Sequence, residues 1–343
     1  MARREFLSFS SGWNPADTEF WIRVHRPAMA CRFEIALPAD AARDIPAARE
    51  ALDAIDVIEA TLSVYRDHSA LTALNRAAAE EAVPVDAELL GLLARSRALH
   101  AATSGAFDVT STPLSRAWGF FRREGRLPEP SEITNALSAV GMDKVALDAR
   151  QGTVRFLRPG VELNFNAIGK GYALDRIASG LRGRGVKHAL LSAGGSSVRA
   201  IGGGRRGYAV DIQSRHLAGP LARLRLREAA LGTSGASEQF FEAEGRRFGH
   251  VLDPRSGWPA QGALSVSVVA DDAATADALA TAFFVGGAEM ARSYCAEHAR
   301  TLVLFTPDVA PHQPLLFGDH DGARFDAERR GPEPSANVKE AEA

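Results

Sequence analysis

Residues 264–286 read LSVSVVADDAATADALATAFFVG and join a predicted strand to a predicted helix. The alternation over 264–269 indicates the strand, and the alanine-rich run over 272–286 carries apolar residues at helical spacing. On that helix Asp277 and Thr281 are four residues apart, so their carboxylate and hydroxyl lie one turn apart on the same face. The segment therefore predicts a helix that presents two oxygen ligands together.

Two hard oxygen ligands on one helix face suggest a magnesium site. Mg²⁺ prefers near-octahedral oxygen coordination, keeps several waters, and is usually shared between protein carboxylates and the phosphates of a substrate. Asp277 and Thr281 thus direct attention to a phosphate-bearing ligand. Taken alone, Asp and Thr at this spacing are more often a solvated face or a local hydrogen bond. The metal hypothesis therefore depends on the rest of the chain.

The remaining segments mix strands and helices without a regular βαβ rhythm, which favours an α+β fold over a doubly wound parallel sheet. A predicted strand pair at 20–25 and 31–37 is followed by a predicted helix at 45–62. Further helices are predicted at 86–102, 131–140 and 170–184, and further strands at 187–193, 197–201, 208–213, 226–231 and 301–306. The glycine-rich stretch GGGRRG at 202–207 lies between two predicted strands, so we predict a hairpin turn there rather than a phosphate loop.

Length and charge limit the classes of protein to which the chain can belong. Its 343 residues are enough for two closely joined lobes. A formal net charge of −2 gives no electrostatic footprint for nucleic acid or an acidic membrane surface. The two cysteines, Cys31 and Cys295, are too few for a disulfide framework or a zinc cluster. No segment approaches the roughly 20 apolar residues of a membrane span.

Both ends of the chain are predicted to lie outside the folded domain. Residues 1–19 form an N-terminal extension without the apolar run of a signal peptide, so a cytoplasmic protein is expected. The folded domain is predicted to span residues 20–318. From Asp319 the chain becomes polar and rich in proline and alanine, and a disordered tail is predicted over 319–343.

Three segments carry residues typical of a ligand site. LNFNAIGKGYALD at 163–175 joins a strand to a helix through the glycine-flanked Lys170, where the helix N-terminus favours negative charge. The same pattern is typical of an ordinary turn, and Asp175 is interpreted as a solvent-facing acid. His250 follows a predicted strand and is either a general base or a histidine hydrogen-bonded at a strand end. Tyr65 lies beside a turn, where it either stacks on a planar ring or belongs to the core or its rim.

The order and content of these segments resemble one known family. Six motifs occur in the family's order between residues 29 and 305: MACRFEI, LSVYRDHSALTALN, TSGAFDVTSTPL followed by WGF, NAIGKGYALD, LLSAGGSSVRAIG, and TSG…HVLDPRSGWP…DALATAFFVGG. The chain thus resembles the ApbE family of Mg²⁺-dependent FAD:protein FMN transferases. The resemblance implies an α+β fold related to the T-fold, with mixed sheets, packed helices and two closely joined lobes.

The resemblance also implies roles for individual residues. The backbone carbonyl of Ala167 would hold Mg²⁺ together with the side chains of Asp277 and Thr281. His250 stands at the position of the family's functionally important histidine and is assigned the catalytic role. Residues that would bind FAD, with Tyr65 stacked near the isoalloxazine, are Met29, Tyr65, Ala106, Phe107, Asp108, Asn164, Lys170, Val251 and Leu252.

The chain departs from the family pattern at several positions. The family commonly has Asp where this chain has Asn164, a glycine-rich pair in place of Asn166-Ala167, and Ala in place of Gly169. Asn164 still donates and accepts hydrogen bonds but supplies no charge. The predicted metal ligands Asp277 and Thr281 and the histidine follow the pattern.

The implied reaction transfers the FMN moiety of FAD to a Thr or Ser hydroxyl of an acceptor protein and releases AMP. Mg²⁺ would be the cofactor, FAD the substrate and the acceptor protein the partner, with no nucleic acid involved. Two other functions stay open, namely a Mg²⁺-dependent FAD pyrophosphatase giving FMN and AMP, and a non-catalytic FAD-binding protein. The presence of His250 together with the Asp277–Thr281 pair favours an enzyme over a binding protein.

Overall fold

The computed structural model describes residues 7–8, 21–213, 220–236, 239–310 and 312–325. The helices in these ranges are α1 (Ile45–Leu62), α2 (Ala70–Ala77), α3 (Ala87–Ala102), α4 (Thr112–Ala117), α5 (Pro130–Leu137), α6 (Gly169–Gly183) and α7 (Ala273–Glu297). The strands are β1 (Leu7–Ser8), β2 (Trp21–Ala28), β3 (Cys31–Pro38), β4 (Val83–Pro84), β5 (Val145–Asp148), β6 (Thr153–Phe156), β7 (Ala189–Ala193), β8 (Ser197–Ile201), β9 (Tyr208–Gln213), β10 (Pro220–Leu226), β11 (Ala230–Gly235), β12 (Phe240–Ala243), β13 (Arg246–Gly249), β14 (Ala263–Ala270), β15 (Thr301–Pro307), β16 (Leu315–Asp319) and β17 (Ala323–Phe325).

An eight-stranded sheet forms the centre of the molecule. Its strands follow the order β16-β15-β14-β11-β8-β7-β3-β2, and neighbouring strands are antiparallel rather than mixed. Because successive side chains of a strand point to opposite faces, β3 places Phe33 and Ile35 in one core and Ala36 in another. Several sheets with packed helices confirm the α+β class that the sequence predicts.

Helices α1, α6 and α7 cover one face of the central sheet. Their buried side chains Ile55, Ile177 and Phe283 join Phe33 and Leu191 of the sheet in the largest hydrophobic core. A second sheet, ordered β1-β9-β10-β17, covers the other face, and its inward side chains form a second core with those of the central sheet. Both cores therefore share the central sheet.

A third and smaller core forms around Trp118 at the end of α4. Helices α4 and α5 pack there against the hairpin β12–β13, and the indole ring of Trp118 contacts Phe241 and Phe248. The indole N–H also donates a hydrogen bond of 2.8 Å to the carbonyl of Gly257. These contacts fix the hairpin, and the segment that follows it, onto α4.

Two glycines allow α7 to lie very close to its neighbours. A Cβ on Gly171 of α6 would stand 2.0 Å from the carbonyl oxygen of Ala273, and a Cβ on Gly232 of β11 would stand 2.6 Å from the carbonyl carbon of Ala276. Both separations are far below van der Waals contact, so only glycine fits at these positions. The first turns of α7 therefore rest directly on α6 and β11. Further along, α7 is interrupted at Gly287, whose φ is 81°.

Replacing Gly171 with alanine is expected to lower the free energy of unfolding by about 1–3 kcal/mol, because the new methyl group must displace the backbone of α7. Gly180 on the same helix is the matched control, since a Cβ there meets nothing within 4 Å. Gly180→Ala should be neutral or stabilise by about 0.5–1 kcal/mol through helix propensity. Urea denaturation measures both variants, and equal stabilities would contradict the close packing of α6 on α7.

Among the described residues the predicted helices and strands are present, except that no strand forms at the start of 163–175, where one was expected before α6. Helices α2 and α4 and several short strands were not predicted. Two boundaries differ most. Helix α7 continues to Glu297 instead of ending at 286, and the strand expected at 226–231 is the end of β10 and the start of β11. The PLARLRL sequence of β10 alternates buried and half-buried residues, so a period of two was present in the sequence but was missed.

The GGGRRG segment at 202–207 is not a hairpin turn, and that prediction was wrong. The preceding β8 belongs to the central sheet and the following β9 to the second sheet, so the segment crosses between two layers. Positive φ angles at Gly202, Gly203, Gly204 and Gly207 give the crossing a path that side-chain-bearing residues rarely adopt. Local composition predicts such a bend but does not tell which sheet each flanking strand joins.

The folded domain extends beyond the predicted limits of 20–318. Within the predicted extension, β1 pairs with β9, and within the predicted tail, β17 pairs with β10. The tail boundary was placed too early because Ala323 and Phe325 pack against the second core. The rest of the predicted extension and tail lies outside the described residues. Among the described residues, no helix has the length and apolar character needed to cross a membrane.

Candidate active site

One cavity gathers twelve of the thirteen predicted site residues. It lies where the N-terminal ends of α6 and α7 meet the end of β11, the loop before α4 and the segment after β13. The twelve are Tyr65, Ala106, Phe107, Asp108, Asn164, Ala167, Lys170, His250, Val251, Leu252, Asp277 and Thr281. Segments more than two hundred residues apart in the chain thus meet at one site.

Asp277 lies at the base of the cavity, on the second turn of α7. Its Oδ2 accepts a hydrogen bond of 2.7 Å from the N–H of Gly171, and its Oδ1 accepts one of 2.7 Å from the Ser197 hydroxyl. Burial raises the pKa of the Asp277 carboxyl to about 7, although nearby Lys170 and the Ser197 hydrogen bond act in the opposite direction. A cation bound to this buried carboxylate would stabilise its ionised form.

The donors around Asp277 suit a small, hard cation. A carboxylate, the Thr281 hydroxyl and the Ala167 carbonyl are all oxygen ligands of the kind that Mg²⁺ prefers. Gly171 is the third residue of α6, so its N–H has no acceptor within the helix, and it donates to Asp277 instead. The described residues contain no cluster of three or more His, Cys, Asp or Glu that could hold a metal. A cation at Asp277 would therefore complete its coordination with water or substrate oxygens.

The hydroxyl of Thr281 has a defined hydrogen-bond pattern. It donates to the backbone carbonyl of Asp277 at 3.3 Å, so the hydroxyl of Ser234, at 3.1 Å, is the donor in the contact between the two side chains. Lys170, in the first turn of α6, donates from its ammonium to the Ser196 hydroxyl. The ammonium and the N-terminal end of α6 together make this side of the cavity favourable for phosphate.

The hairpin β12–β13 determines the position of His250. Because Phe240 pairs with Gly249, the next residues outward, Gln239 and His250, face each other at the open end of the hairpin. The His250 N–H donates to the Gln239 carbonyl at 3.0 Å, and the ring Nδ1 lies 3.1 Å from the same oxygen. A carbonyl only accepts, so Nδ1 carries a proton and Nε2 is the basic nitrogen of the neutral ring.

Tyr65 forms an aromatic wall at the cavity and is 63% exposed. Its ring stacks on Phe121, with centroids 5.2 Å apart and planes inclined by 28°, and the guanidinium of Arg116 covers Phe121 at 3.8 Å. The Tyr65 hydroxyl accepts a hydrogen bond of 3.1 Å from Asn166. The Asn164 amide oxygen accepts from the Asn166 N–H at 2.8 Å and shapes the loop before α6. The exposed ring of Tyr65 suits stacking with a planar ligand.

Asp108 is buried, and its carboxylate is engaged by protein groups. Its Oδ1 accepts hydrogen bonds from the N–H of Thr110 at 2.7 Å and from the Thr110 hydroxyl at 2.6 Å. Its Oδ2 lies 3.2 Å from Nδ1 of His100, and the hydrogen bond with Asp108 raises the pKa of His100. Ala106 and Phe107 are each 1% exposed. These three residues build a rigid wall of the cavity, and their contact with FAD stays a prediction.

Met29 is the predicted site residue that does not line the cavity. It lies in the tight turn between β2 and β3, where Met29 and Ala30 have φ angles of 48° and 56°. Its methyl group is 3.4 Å from the position that a Cβ on Gly169 would occupy. Met29 therefore packs behind the start of α6, and its contact with flavin stays a prediction.

Sequence reasoning missed several residues of the cavity wall. They are Ser111, Thr112, Ser115, Phe120, Asn166, Thr233, Ser234, Gly235, Gln239 and Pro254. Most belong to the motifs that carried the predicted residues, so proximity in those motifs was a usable signal. Gln239 lies outside every motif, and only the pairing of β12 with β13 places it beside His250.

The fold is that of an α+β protein with a well-defined cavity. That cavity combines oxygen donors suited to a cation with a lysine at a helix N-terminus, an exposed aromatic ring and a histidine. The chain belongs to the ApbE family, because the sequence model of that family matches residues 29–305.

Relatives and solved structures are similar over most of the chain. The FAD:protein FMN transferase of Treponema pallidum is 33% identical over 276 residues, which is 76% of each chain. The FAD:protein FMN transferase of Rhodobacter capsulatus is 36% identical over 250 residues, which is 70% of this chain and 48% of the relative. The crystal structure of the ApbE protein from Thermotoga maritima superposes with a TM-score of 0.78 at 28% identity, covering 84% of this chain and 95% of that one.

Proposed function

We propose that this protein is an FAD:protein FMN transferase that uses Mg²⁺ to attach FMN from FAD to a Thr or Ser hydroxyl of an acceptor protein. The observation that carries the proposal is the convergence of the Asp277–Thr281 donors, Lys170 and His250 on one cavity. The names of the curated relatives support the same activity. A simple flavin-binding protein has no need for a histidine beside a site for a cation.

In the proposed reaction the acceptor hydroxyl attacks the phosphorus of the FMN half of FAD. A new P–O bond forms to the acceptor, and the bond from that phosphorus to the bridging oxygen breaks. AMP leaves with the bridging oxygen, and the hydroxyl proton passes to a base. The products are the FMN phosphoester of the acceptor, AMP and one proton, so the atoms balance.

Each group in the cavity has a role in this scheme. Asp277, Thr281 and the Ala167 carbonyl would hold Mg²⁺, which when bound supplies charge neutralisation of the pyrophosphate and of the leaving AMP. Lys170 adds positive charge beside the N-terminus of α6. Nε2 of His250 accepts the proton from the acceptor hydroxyl, while the Gln239 carbonyl holds the ring through Nδ1.

Mass spectrometry of candidate acceptor proteins tests the proposal. Each candidate is incubated with this protein, FAD and Mg²⁺, and we expect one FMN on a Thr or Ser with an equal amount of AMP. Samples with EDTA and samples without the acceptor are the controls. FMN and AMP formed without an acceptor would show a pyrophosphatase instead, and stoichiometric FAD binding without AMP in any sample would show a binding protein.

A further inference from the structure

Asp175 does not face solvent as the sequence suggested, because its side chain reaches across from α6 to α7. Its Oδ1 accepts a hydrogen bond of 2.9 Å from the N–H of Ala273, and its Oδ2 accepts one of 2.9 Å from the N–H of Ala274. These N–H groups belong to the first turn of α7, which has no intrahelical acceptor for them. Asp175 therefore caps a helix other than its own, and its side chain is only 20% exposed.

The two helices exchange hydrogen bonds in both directions. The N-terminal end of α6 donates from Gly171 to the carboxylate of Asp277 on α7, and the N-terminal end of α7 donates to the carboxylate of Asp175 on α6. Between them the missing side chain of Gly171 allows contact with the carbonyl of Ala273. The exchange fixes both the spacing and the register of α6 against α7.

This register matters because the oxygen donors of the candidate metal site are divided between the two helices. The Ala167 carbonyl lies two residues before the start of α6, whereas Asp277 and Thr281 project from α7. A shift of one helix along the other changes the distance between these donors. Mg²⁺ tolerates such changes poorly, since it requires ligand oxygens close to 2.0–2.1 Å in near-octahedral geometry.

Two charged groups of opposite sign flank Asp175. The buried guanidinium of Arg199 on β8 lies 3.6 Å from Asp175, measured from Nε to Oδ1, and among the described residues Nε and Nη1 of Arg199 have no hydrogen-bond partner. Asp272, at the cap of α7, is held by Arg95 of α3. Burial, and then the charge of Asp272, raise the pKa of Asp175 to about 6, so its carboxylate is ionised at pH 8.

We propose that Asp175 is a positioning residue for the metal site, which sets the affinity for Mg²⁺ by locking α7 onto α6 without touching the ion. The inference rests on the Mg²⁺ site of the proposed function. Asp175→Asn tests it, because a carboxamide offers one acceptor oxygen to two N–H groups and turns its NH₂ group towards the other.

Binding of Mn²⁺ alone, measured at pH 8 by the loss of the free-ion EPR signal, gives a readout independent of FAD and of catalysis. Comparing wild type with Asp277→Ala shows whether the site binds metal. This comparison does not depend on whether the protein transfers FMN. We expect Asp175→Asn to bind Mn²⁺ about tenfold more weakly than wild type, in the range found when a group supporting metal ligands is lost. Asp86→Asn is the matched control, since Asp86 caps α3 through a single N–H and asparagine caps equally well.

The metal affinity separates positioning from a purely structural role. If Asp175 only stabilised the fold, Asp175→Asn would melt at a lower temperature yet bind Mn²⁺ with unchanged affinity, and the proposal would be overturned. If the variant does not fold, Asp175→Glu takes its place, because it keeps both acceptor oxygens but moves them by one methylene. A several-fold loss of Mn²⁺ affinity in folded Asp175→Glu supports the proposal, and wild-type affinity contradicts it.

Discussion

Asp277→Ala is expected to reduce FMN transfer by about a thousandfold and to remove its dependence on Mg²⁺. A bound metal contributes several kcal/mol of charge stabilisation in the transition state, and each 1.4 kcal/mol is a factor of ten in rate. Asp277 is the only carboxylate among the three predicted ligands, so its loss removes the charge that attracts the ion. The measurement is the rate of acceptor labelling over a range of Mg²⁺ concentrations.

A second variant separates loss of the metal from loss of the fold. Alanine at 277 leaves the buried Ser197 hydroxyl and Gly171 N–H without their acceptor, and each such group costs about 1–3 kcal/mol of stability. Asp277→Asn keeps the size and one acceptor oxygen while removing the charge. It should retain the fold and bind FAD, as measured by flavin fluorescence, but remain inactive. If transfer by either variant were still stimulated by Mg²⁺, the assignment of Asp277 as a ligand would be wrong.

The geometry of Asp277 and Thr281 could be predicted because it depends on one helix alone. A spacing of four residues places two side chains on one face whatever the helix packs against. The sequence does not state which face is buried, and this is why Asp175, on a helix that was also predicted correctly, was misjudged. Its burial depends on the contact between α6 and α7, which Gly171 makes possible.

Ala167 illustrates a second limit. A backbone carbonyl has the same chemistry in every residue, so no side-chain pattern marks it as a ligand, and only the family resemblance pointed to it. The structure adds that Ala167 lines the same cavity as Asp277 and Thr281. Gln239 is similar, since it contributes its backbone carbonyl to His250.

The fold shows the same division between local and long-range information. Helices α1, α3 and α6 follow from their own periodicity and lie within a residue or two of the predicted ranges. The GGGRRG crossing and the pairing of β17 with β10 depend on which strands meet in space. Hydrophobic alternation tells that a strand has an inner face, but it does not tell which of two stacked sheets the strand joins.

His250→Ala is expected to slow transfer by about 10²–10⁴-fold, the usual contribution of a positioned general base, while leaving FAD affinity nearly unchanged. The reason is that in the proposed reaction Nε2 acts on the acceptor hydroxyl, whereas FAD would be held by the walls around Tyr65 and Lys170 and by the metal. His298→Ala is the matched control, because that exposed histidine also places Nδ1 near a backbone carbonyl, 3.0 Å from Tyr294. It should label the acceptor at the wild-type rate.

Two measurements on His250→Ala distinguish its possible roles. If the ring is the base, added imidazole should restore part of the transfer rate, since a small base can enter the space that the side chain leaves. If the ring instead positions the acceptor, His250→Gln should recover more activity than imidazole does, because glutamine keeps a polar group at the end of the hairpin. Wild-type labelling by His250→Ala would remove His250 from the mechanism, and a large loss of FAD affinity would place it in the flavin site instead.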